Sequence, residues 1–200
     1  MLRSITSQKR IISKLKNFET QNLEHFSNLV NFSQSIDKPI HRWFRYREGF
    51  SPLLVNHFLK EEKYVLDPFC GSGTTLVTAL QERKNSLGIE LNPFAAFMAK
   101  IKTTKYNTEE IRNIRKTIPK IFYKDESDVG LPKLKIIDKA FHPEILTHLL
   151  MLRNNITKYE NPLRDFLLFG WLAILENVSN TKKEGNGIKY RSTKRTKNGY

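Results

Sequence analysis

The sequence predicts an α/β domain organised around a strand, a glycine-rich turn, a helix and a second strand. Tyr64-Val-Leu-Asp67 is an apolar run that ends in an acid, which is typical of a buried parallel strand with a ligand at its carboxyl end. Gly71-Ser-Gly73 follows, and glycines allow backbone N–H groups to approach another molecule closely. Thr74 to Arg83 has the apolar spacing of a helix, and Ser86 to Ile89 predicts a second strand that ends in Glu90.

This order of elements indicates a nucleotide-type site, in which Glu90 would accept hydrogen bonds from ribose hydroxyls. A P-loop requires Gly-Lys-Ser/Thr five residues after its first glycine, where this chain has Leu76. The dinucleotide pattern requires a small residue at the same position. Asp67 at the head of the turn would repel a pyrophosphate but suits a ligand with an amino group. These residues favour S-adenosylmethionine (SAM) over ATP or NAD.

Three blocks of the chain resemble DNA amino-methyltransferases, the enzymes that make N6-methyladenine or N4-methylcytosine. Asp67-Pro-Phe-Cys-Gly-Ser-Gly-Thr-Thr75 resembles their SAM-binding motif. His41 to Pro52 resembles the segment that covers the methionine end of SAM, and Gly88 to Pro93 resembles the part that holds ribose and adenine. The blocks have the family's order and spacing over residues 41–105. The resemblance implies a Rossmann-like SAM-dependent methyltransferase fold, SAM as cofactor and double-stranded DNA as partner.

The resemblance also implies a set of cofactor-binding residues. The glycine turn is expected at the methionine end, Glu90 at the ribose, Asn92 and Pro93 near the adenine, and Phe50 and Ser51 at the pocket edge. The whole expected set is Phe50, Ser51, Asp67, Phe69, Gly71, Gly73, Thr74, Glu90, Asn92 and Pro93. Ser51 is also predicted as the N-cap of a helix with Pro52 at its first position, where a carboxylate would be favoured. No catalytic residue and no metal ligand is predicted.

The chain lacks one element that the resemblance implies. In that family a Ser/Asp/Asn-Pro-Pro-aromatic motif accepts hydrogen bonds from the amine of a flipped-out base, and none of the eight prolines here is adjacent to another. Only two strands are firmly predicted, against seven by resemblance, so the fold is expected to be incomplete, with added helices. Three hypotheses stay open: a SAM-binding subunit whose partner polypeptide carries catalysis and target recognition, a truncated remnant of a restriction-modification methyltransferase, or a non-catalytic DNA- or SAM-binding subunit.

Four regions are predicted along the chain. Residues 1–40 are an N-terminal helical segment and residues 41–105 the SAM-binding βαβ unit. Residues 106–180 form a helical region that ends in a helical hairpin, and residues 181–200 a basic tail that is disordered on its own.

The helical region has specific start signals. Asn107 begins a helix with a capping box, and Pro143 and Pro162 stand at the first position of the two hairpin helices. Leu134 to Ile137 is expected to be a short strand. His142 and His148 are interpreted as structural.

Composition indicates a basic globular protein. The net charge is +14, the sequence pI is about 9.9 and 39% of residues are hydrophobic, so a polyanion is the simplest partner, although a Lys-rich composition alone has the same appearance. Aromatic and basic residues alternate from Trp43 to Phe50, which is typical either of nucleic-acid stacking or of a cofactor pocket wall.

The single cysteine, Cys70, excludes a disulfide within the chain and is interpreted as a small buried side chain. No apolar run is long enough for a membrane span and no signal peptide is recognisable, so a cytoplasmic location is expected.

Overall fold

The structure is a computed structural model, and it describes residues 24–60, 63–123, 135–184 and 187–192. Within the described residues, three short 3₁₀ segments come before the α-helices: Glu24–Leu29, Phe32–Ser35 and His41–Trp43. The elements that follow are α1 (Pro52–Phe58), β1 (Tyr64–Asp67), α2 (Thr74–Gln81), β2 (Asn85–Gly88), α3 (Pro93–Thr103), α4 (Thr108–Ile121), α5 (Lys135–Ala140), α6 (Pro143–Thr157), α7 (Leu163–Val178), β3 (Thr181–Glu184) and β4 (Gly187–Tyr190). The α/β class is confirmed. A complete Rossmann sheet is not, since the described residues form two separate two-stranded sheets.

The first sheet is the predicted βαβ unit. β1 and β2 are parallel, and α2 connects them. β1 has the predicted bounds, whereas β2 begins and ends one residue earlier than predicted. Asp67 faces Gly88 in the register, so both strands end at the same edge of the sheet. This edge therefore carries the glycine turn and Glu90 side by side.

One face of this sheet is covered and the other is open. Val65 packs against Val55 of α1, against Leu59 directly after that helix and against Ala79 of α2. On the opposite face, Leu66 and its cross-strand neighbour Leu87 are 61% and 63% exposed. The sequence predicted β1 as a buried strand. The expectation fails because no described element lies over the second face.

The aromatic residues before α1 belong to the core. Trp43, Phe44 and Tyr46 pack against a buried cluster of Ala95, Met98, Ile101 and Phe169. The Trp43 and Phe166 rings meet edge to face with centroids 5.8 Å apart, and Phe44 meets Phe94 at 5.4 Å. Of the two interpretations of this block, the structure favours packing and a pocket wall over free rings for base stacking.

Two of the three predicted helix starts are confirmed, and the third differs by one residue. Asn107 accepts from the Glu110 N–H while Glu110 accepts from the Asn107 N–H, which completes a capping box. Pro143 is the first residue of α6, and Pro162 lies one position before α7. The Trp171 indole donates to the Leu149 carbonyl at 2.8 Å across the hairpin formed by α6 and α7.

The strand predicted over Leu134 to Ile137 is wrong, because residues 135–140 form α5. Ile137 and Ala140 are three positions apart and share the more buried helical side, and no described strand offers a partner for an extended segment here. Leu134 itself lies outside the described residues.

The basic tail also differs from the prediction, since β3 and β4 form an antiparallel hairpin. The Glu176 carboxylate at the end of α7 accepts from Arg47 Nη2 at 3.0 Å and from the Lys183 N–H at 3.3 Å. The Arg191 side chain donates to the Ser179 carbonyl at 3.3 Å. These long-range bonds order a polar segment that has little apolar surface of its own. Residues 193–200 lie outside the described part.

The N-terminal segment is described only from residue 24, so most of the helical prediction for residues 1–40 is outside the structure. The described part of that segment consists of 3₁₀ turns rather than α-helix. Among the described helices, none combines the length and the apolar character that crossing a membrane requires.

Candidate functional site

The glycine turn is built directly onto the carboxyl edge of the sheet. The Ile89 N–H donates to the Asp67 carbonyl at 2.9 Å, and the Cys70 N–H donates to the Ile89 carbonyl at 3.0 Å. Asp67 Oδ1 also accepts from the Phe69 N–H at 3.0 Å. These bonds continue the β1–β2 ladder past the strands and fix where the turn begins.

Two glycines hold the turn in a conformation that other residues rarely adopt. Gly71 and Gly73 have φ angles of 51° and 87°, in the left-handed region. A Cβ atom on Gly73 would lie 3.0 Å from the Ala99 Cβ, and one on Gly71 would lie 3.2 Å from Tyr46 Cε1. The glycines were predicted for close approach of a ligand. The structure adds a second reason, which is close approach of α3 and Tyr46.

Glu90 joins the turn to the segment after β2. Its Oε2 accepts from the Gly71 N–H at 2.8 Å, and its Oε1 accepts from the Asn92 N–H at 2.7 Å. Each carboxylate oxygen has a second lone pair, so both atoms retain an acceptor position for a ligand hydroxyl. The structure thus gives Glu90 a local role that is compatible with the ribose-binding role expected from the sequence.

Three other expected site residues lie at the same edge of the sheet as the turn. Phe69, 86% exposed, lies on the turn beside the strand ends. Asn92 and Pro93 are exposed at the start of α3, where Asn92 Oδ1 accepts from the Phe94 N–H at 2.9 Å and Pro93 is the first helical residue. Together with Asp67, Gly71 and Glu90, these residues surround one edge of the sheet.

Phe50 and Ser51 are held by other parts of the chain, and the Ser51 N–H donates to the Leu29 carbonyl at 2.8 Å. Ser51 is wholly buried, and its Oγ accepts from the Leu53 N–H and hydrogen-bonds to Gln34 Oε1, both at 3.2 Å. Phe50 packs against the cluster that contains Val55. The predicted N-cap role of Ser51 is confirmed, and its hydroxyl is engaged inside the protein. Thr74 is buried at the first position of α2.

Cys70 lies underneath the turn as a buried thiol. A Cβ atom on Gly88 would lie 2.8 Å from the Cys70 Sγ, which explains the glycine at that position of β2. Burial raises the pKa of the Cys70 thiol, and the nearby Asp67 and Glu90 carboxylates raise it further. The thiol therefore stays protonated near neutral pH, which agrees with a structural role.

Sequence reasoning missed a cavity beside the turn. This cavity has a volume of about 160 Å³, and its polar lining includes Ser72, Thr74, His41 and Lys102. A signal for Lys102 was present in the sequence, because Ala95, Met98, Ala99 and Lys102 have the spacing of one helical face. A lysine on a face that is otherwise buried is uncommon and indicates a special environment.

Both titratable groups of the cavity are strongly affected by burial. Burial lowers the pKa of Lys102 to about 8. Burial, together with the positive charge of Lys102, lowers the pKa of His41 to about 4. The imidazole is therefore neutral at physiological pH, while most of the Lys102 side chain carries its charge. Among the described residues, no cluster of three or more His, Cys, Asp or Glu side chains is placed to hold a metal ion.

The fold and the site define a class before any comparison: a parallel βαβ unit with a glycine turn and an acid after its second strand. The family described as DNA methylase matches residues 51–101, which include both strands, the turn and most of α3. No solved structure matches the chain at a significant level.

The similar proteins are named Type II methyltransferases. The chain is 33% identical to the Type II methyltransferase M.BsoBI of Geobacillus stearothermophilus, over 94% of this chain and 38% of that protein. It is 29% identical to the Type II methyltransferase M.AvaI of Anabaena variabilis, over 81% of this chain and 36% of that protein. A third similar protein, the Type II methyltransferase M.MjaII of Methanocaldococcus jannaschii, is 38% identical over 38% of this chain.

These similarities confirm the resemblance stated from the sequence: the chain is related to the DNA amino-methyltransferases. They do not distinguish adenine N6 from cytosine N4 as the target. The chain spans less than two fifths of the length of the methyltransferases M.BsoBI and M.AvaI.

Proposed function

We propose that this chain is the SAM-binding portion of a site-specific DNA methyltransferase that methylates an exocyclic amine, adenine N6 or cytosine N4. The observation that carries the proposal is the bonded unit of Asp67, the Gly71–Gly73 turn and Glu90 at the carboxyl edge of parallel strands. This unit lies within the residues that match the DNA methylase family. Ligands of open α/β sheets bind at this edge.

Individual residues have the following proposed roles. Glu90 accepts from the ribose hydroxyls through the lone pairs that Gly71 and Asn92 leave free. Phe69 and the turn contact the methionine end, and Asp67 favours its amino group. Asn92 and Pro93 support the adenine from the start of α3. Ser51 supports the pocket as a helix cap rather than as a direct ligand, because its hydroxyl is engaged internally.

Catalysis and target recognition are proposed to need sequence outside these 200 residues, in the same protein or in a second polypeptide. No Pro-Pro pair is present to accept the hydrogen bonds of a target amine. The open face of Leu66 and Leu87 supports the idea that further structure packs on the sheet, since exposed apolar sheet faces are normally covered. Double-stranded DNA is the proposed substrate, in keeping with the net charge of +14.

The first test is transfer of a labelled methyl group from SAM to DNA of mixed sequence. We expect the purified 200-residue chain to bind SAM without labelling DNA, and labelling to begin when a polypeptide with a Ser/Asp/Asn-Pro-Pro-aromatic motif is added. Label on the DNA with the chain alone would mean that a catalytic element lies within these residues. A folded chain that binds no SAM would overturn the proposal as a whole.

A second candidate is a non-catalytic binding subunit that holds DNA by charge. The basic composition is the observation that favours it. Steeply salt-dependent DNA binding that SAM leaves unchanged, without methyl transfer in any combination, would favour this candidate over the first.

A further inference from the structure

The cavity beside the glycine turn contains a buried positive charge without a negative partner. Lys102 is 4% exposed and lines the cavity. Its Nζ lies 3.5 Å from Ser72 Oγ, and within the described part of the chain no carboxylate forms an ion pair with it. An unpaired buried ammonium group is unfavourable, so proteins usually pair such groups with an anion.

The rest of the lining is suited to a negative group. His41 is 5% exposed, and its Nε2 is buried without a hydrogen-bond partner among the described residues. Ser72 and Thr74 contribute hydroxyl groups, and the N-terminus of α2 adds partial positive charge. Arg42 and Arg45 complete a basic lining, and the lining contains no Asp or Glu.

We propose that this cavity is an oxyanion site in which Lys102 pairs with a carboxylate or phosphate group, with Ser72 and His41 as hydrogen-bonding partners. The resemblance stated from the sequence places His41 and the glycine turn near the methionine end of SAM, but neither it nor the similar proteins assign Lys102 to a ligand. The Lys102 ammonium supplies the charge, the Ser72 hydroxyl donates a hydrogen bond, and the neutral His41 ring donates one when its Nε2 carries the proton.

The size of the cavity limits its occupant. Pockets that enclose a whole drug-sized molecule usually measure about 300–1,000 Å³, whereas this one measures about 160 Å³. It therefore suits a small anion or one charged end of a larger ligand. Such a group would come from one of two sources: the amino-acid carboxylate of the methyl donor, which rests on the proposed function, or free inorganic phosphate, which does not.

The key variant is Lys102→Met, which keeps an unbranched side chain one atom shorter and removes its charge. Its matched control is Lys100→Met, two residues earlier on α3, where the side chain is exposed. We expect Lys102→Met to fold at least as stably as the wild type without ligand, because it removes an unpaired buried charge. Lys102→Gln is a second variant in case the methionine packs poorly.

The probes are inorganic phosphate, S-adenosylhomocysteine and 5′-methylthioadenosine, of which the last lacks the amino-acid end. Unfolding is followed with phosphate against chloride at matched ionic strength, and the two nucleosides are titrated by calorimetry. We expect Lys102→Met to weaken S-adenosylhomocysteine binding by about tenfold or more, as for loss of a charge-assisted bond, with methylthioadenosine binding unchanged. Lys100→Met should behave as the wild type.

The outcomes test the oxyanion site separately from the proposed SAM-binding function. Selective loss of S-adenosylhomocysteine binding identifies the amino-acid carboxylate as the occupant. Loss of stabilisation by phosphate alone identifies free phosphate. If Lys102→Met retains both effects, the oxyanion site is overturned. If the folded wild type binds neither nucleoside, the proposed function fails, and the phosphate experiment still decides whether the anion site exists.

Discussion

Glu90 shows how a single side chain can serve the fold and a ligand together. Its two oxygens accept from the Gly71 and Asn92 N–H groups, so the carboxylate holds the turn at a fixed distance from the start of α3. The sequence predicted the ligand role of this acid from its place after β2. It did not predict the bond to the turn, because that bond depends on the register of β1 against β2.

Replacing Glu90 should therefore affect ligand binding and local order together. We expect Glu90→Ala to weaken SAM binding by about 1–3 kcal/mol, the usual cost of a lost charge-assisted hydrogen bond. Glu90→Gln keeps one acceptor oxygen, so its affinity for SAM should lie between those of the wild type and Glu90→Ala. Calorimetry measures both, with Glu109→Ala, an exposed acid in the first turn of α4, as control. An unchanged affinity in Glu90→Ala would contradict the ribose role.

His41 predicts a specific dependence of stability on pH. Its pKa is lowered to about 4 in the folded protein from an ordinary 6.5, so the unfolded chain binds more protons between these values. The contribution of His41 to stability is complete above pH 6.5 and is lost as the pH falls toward 4, by up to about 3 kcal/mol.

The His41→Leu variant removes this titration. Denaturant unfolding between pH 7 and 4, in a buffer without phosphate, should show a smaller loss of stability for His41→Leu than for the wild type. His148→Leu, at an exposed position of α6, controls for the loss of an imidazole. Parallel pH curves for the wild type and His41→Leu would show that burial of His41 is not the cause.

The elements of the βαβ unit were predictable because local signals and tertiary packing agree there. Asp67 ends the apolar run of β1. Gly73 is the N-cap of α2, and Asn92 is the N-cap of α3 with Pro93 as its first helical residue. The failures occurred where packing outweighed local preference. Residues 135–140 became a helix without a strand partner, and the polar tail folded because Glu176 and Ser179 bind it.

The turn before α2 permits a direct comparison of two glycines. Gly73→Ala should destabilise the protein by about 1–3 kcal/mol, because an L residue is strained at φ 87° and the new Cβ would lie 3.0 Å from the Ala99 Cβ. Gly170→Ala lies inside α7, where the added Cβ would meet nothing within 4 Å beyond its chain neighbours and the backbone of its own helix, and it should stabilise by about 0.5–1 kcal/mol. Denaturant unfolding measures both variants. Equal effects would show that the turn is not constrained as described.

At the scale of the whole molecule, the main feature is the open sheet face. Tyr64 is 76% exposed, and Leu66 and Leu87 lie together on the strands beside it. The sequence predicted a sheet with more strands only through its resemblance to methyltransferases. Strand patterning alone did not show whether one face or both would be covered, since a four-residue apolar run fits either case.

This face predicts association of the isolated chain. We expect the purified 200-residue chain to self-associate as its concentration rises, and the Leu66→Thr, Leu87→Thr double variant to associate less, because it lowers the apolar area available for contact. Sedimentation velocity measures the effect, and Ile174→Thr, an exposed apolar position on α7, is the control. Equal association of the two variants would exclude the sheet face as the contact.

Cys70 offers an internal reporter of the turn. It is the single cysteine of the chain, its sulfur packs against Gly88, and the pKa of its thiol is raised. The sulfur can therefore react with an alkylating reagent only when the turn opens and the thiol loses its proton. The rate of iodoacetamide labelling should therefore report the fraction of molecules in which the turn is open. If SAM binds there, saturating SAM should slow the labelling in native protein and leave the rate in denaturant unchanged.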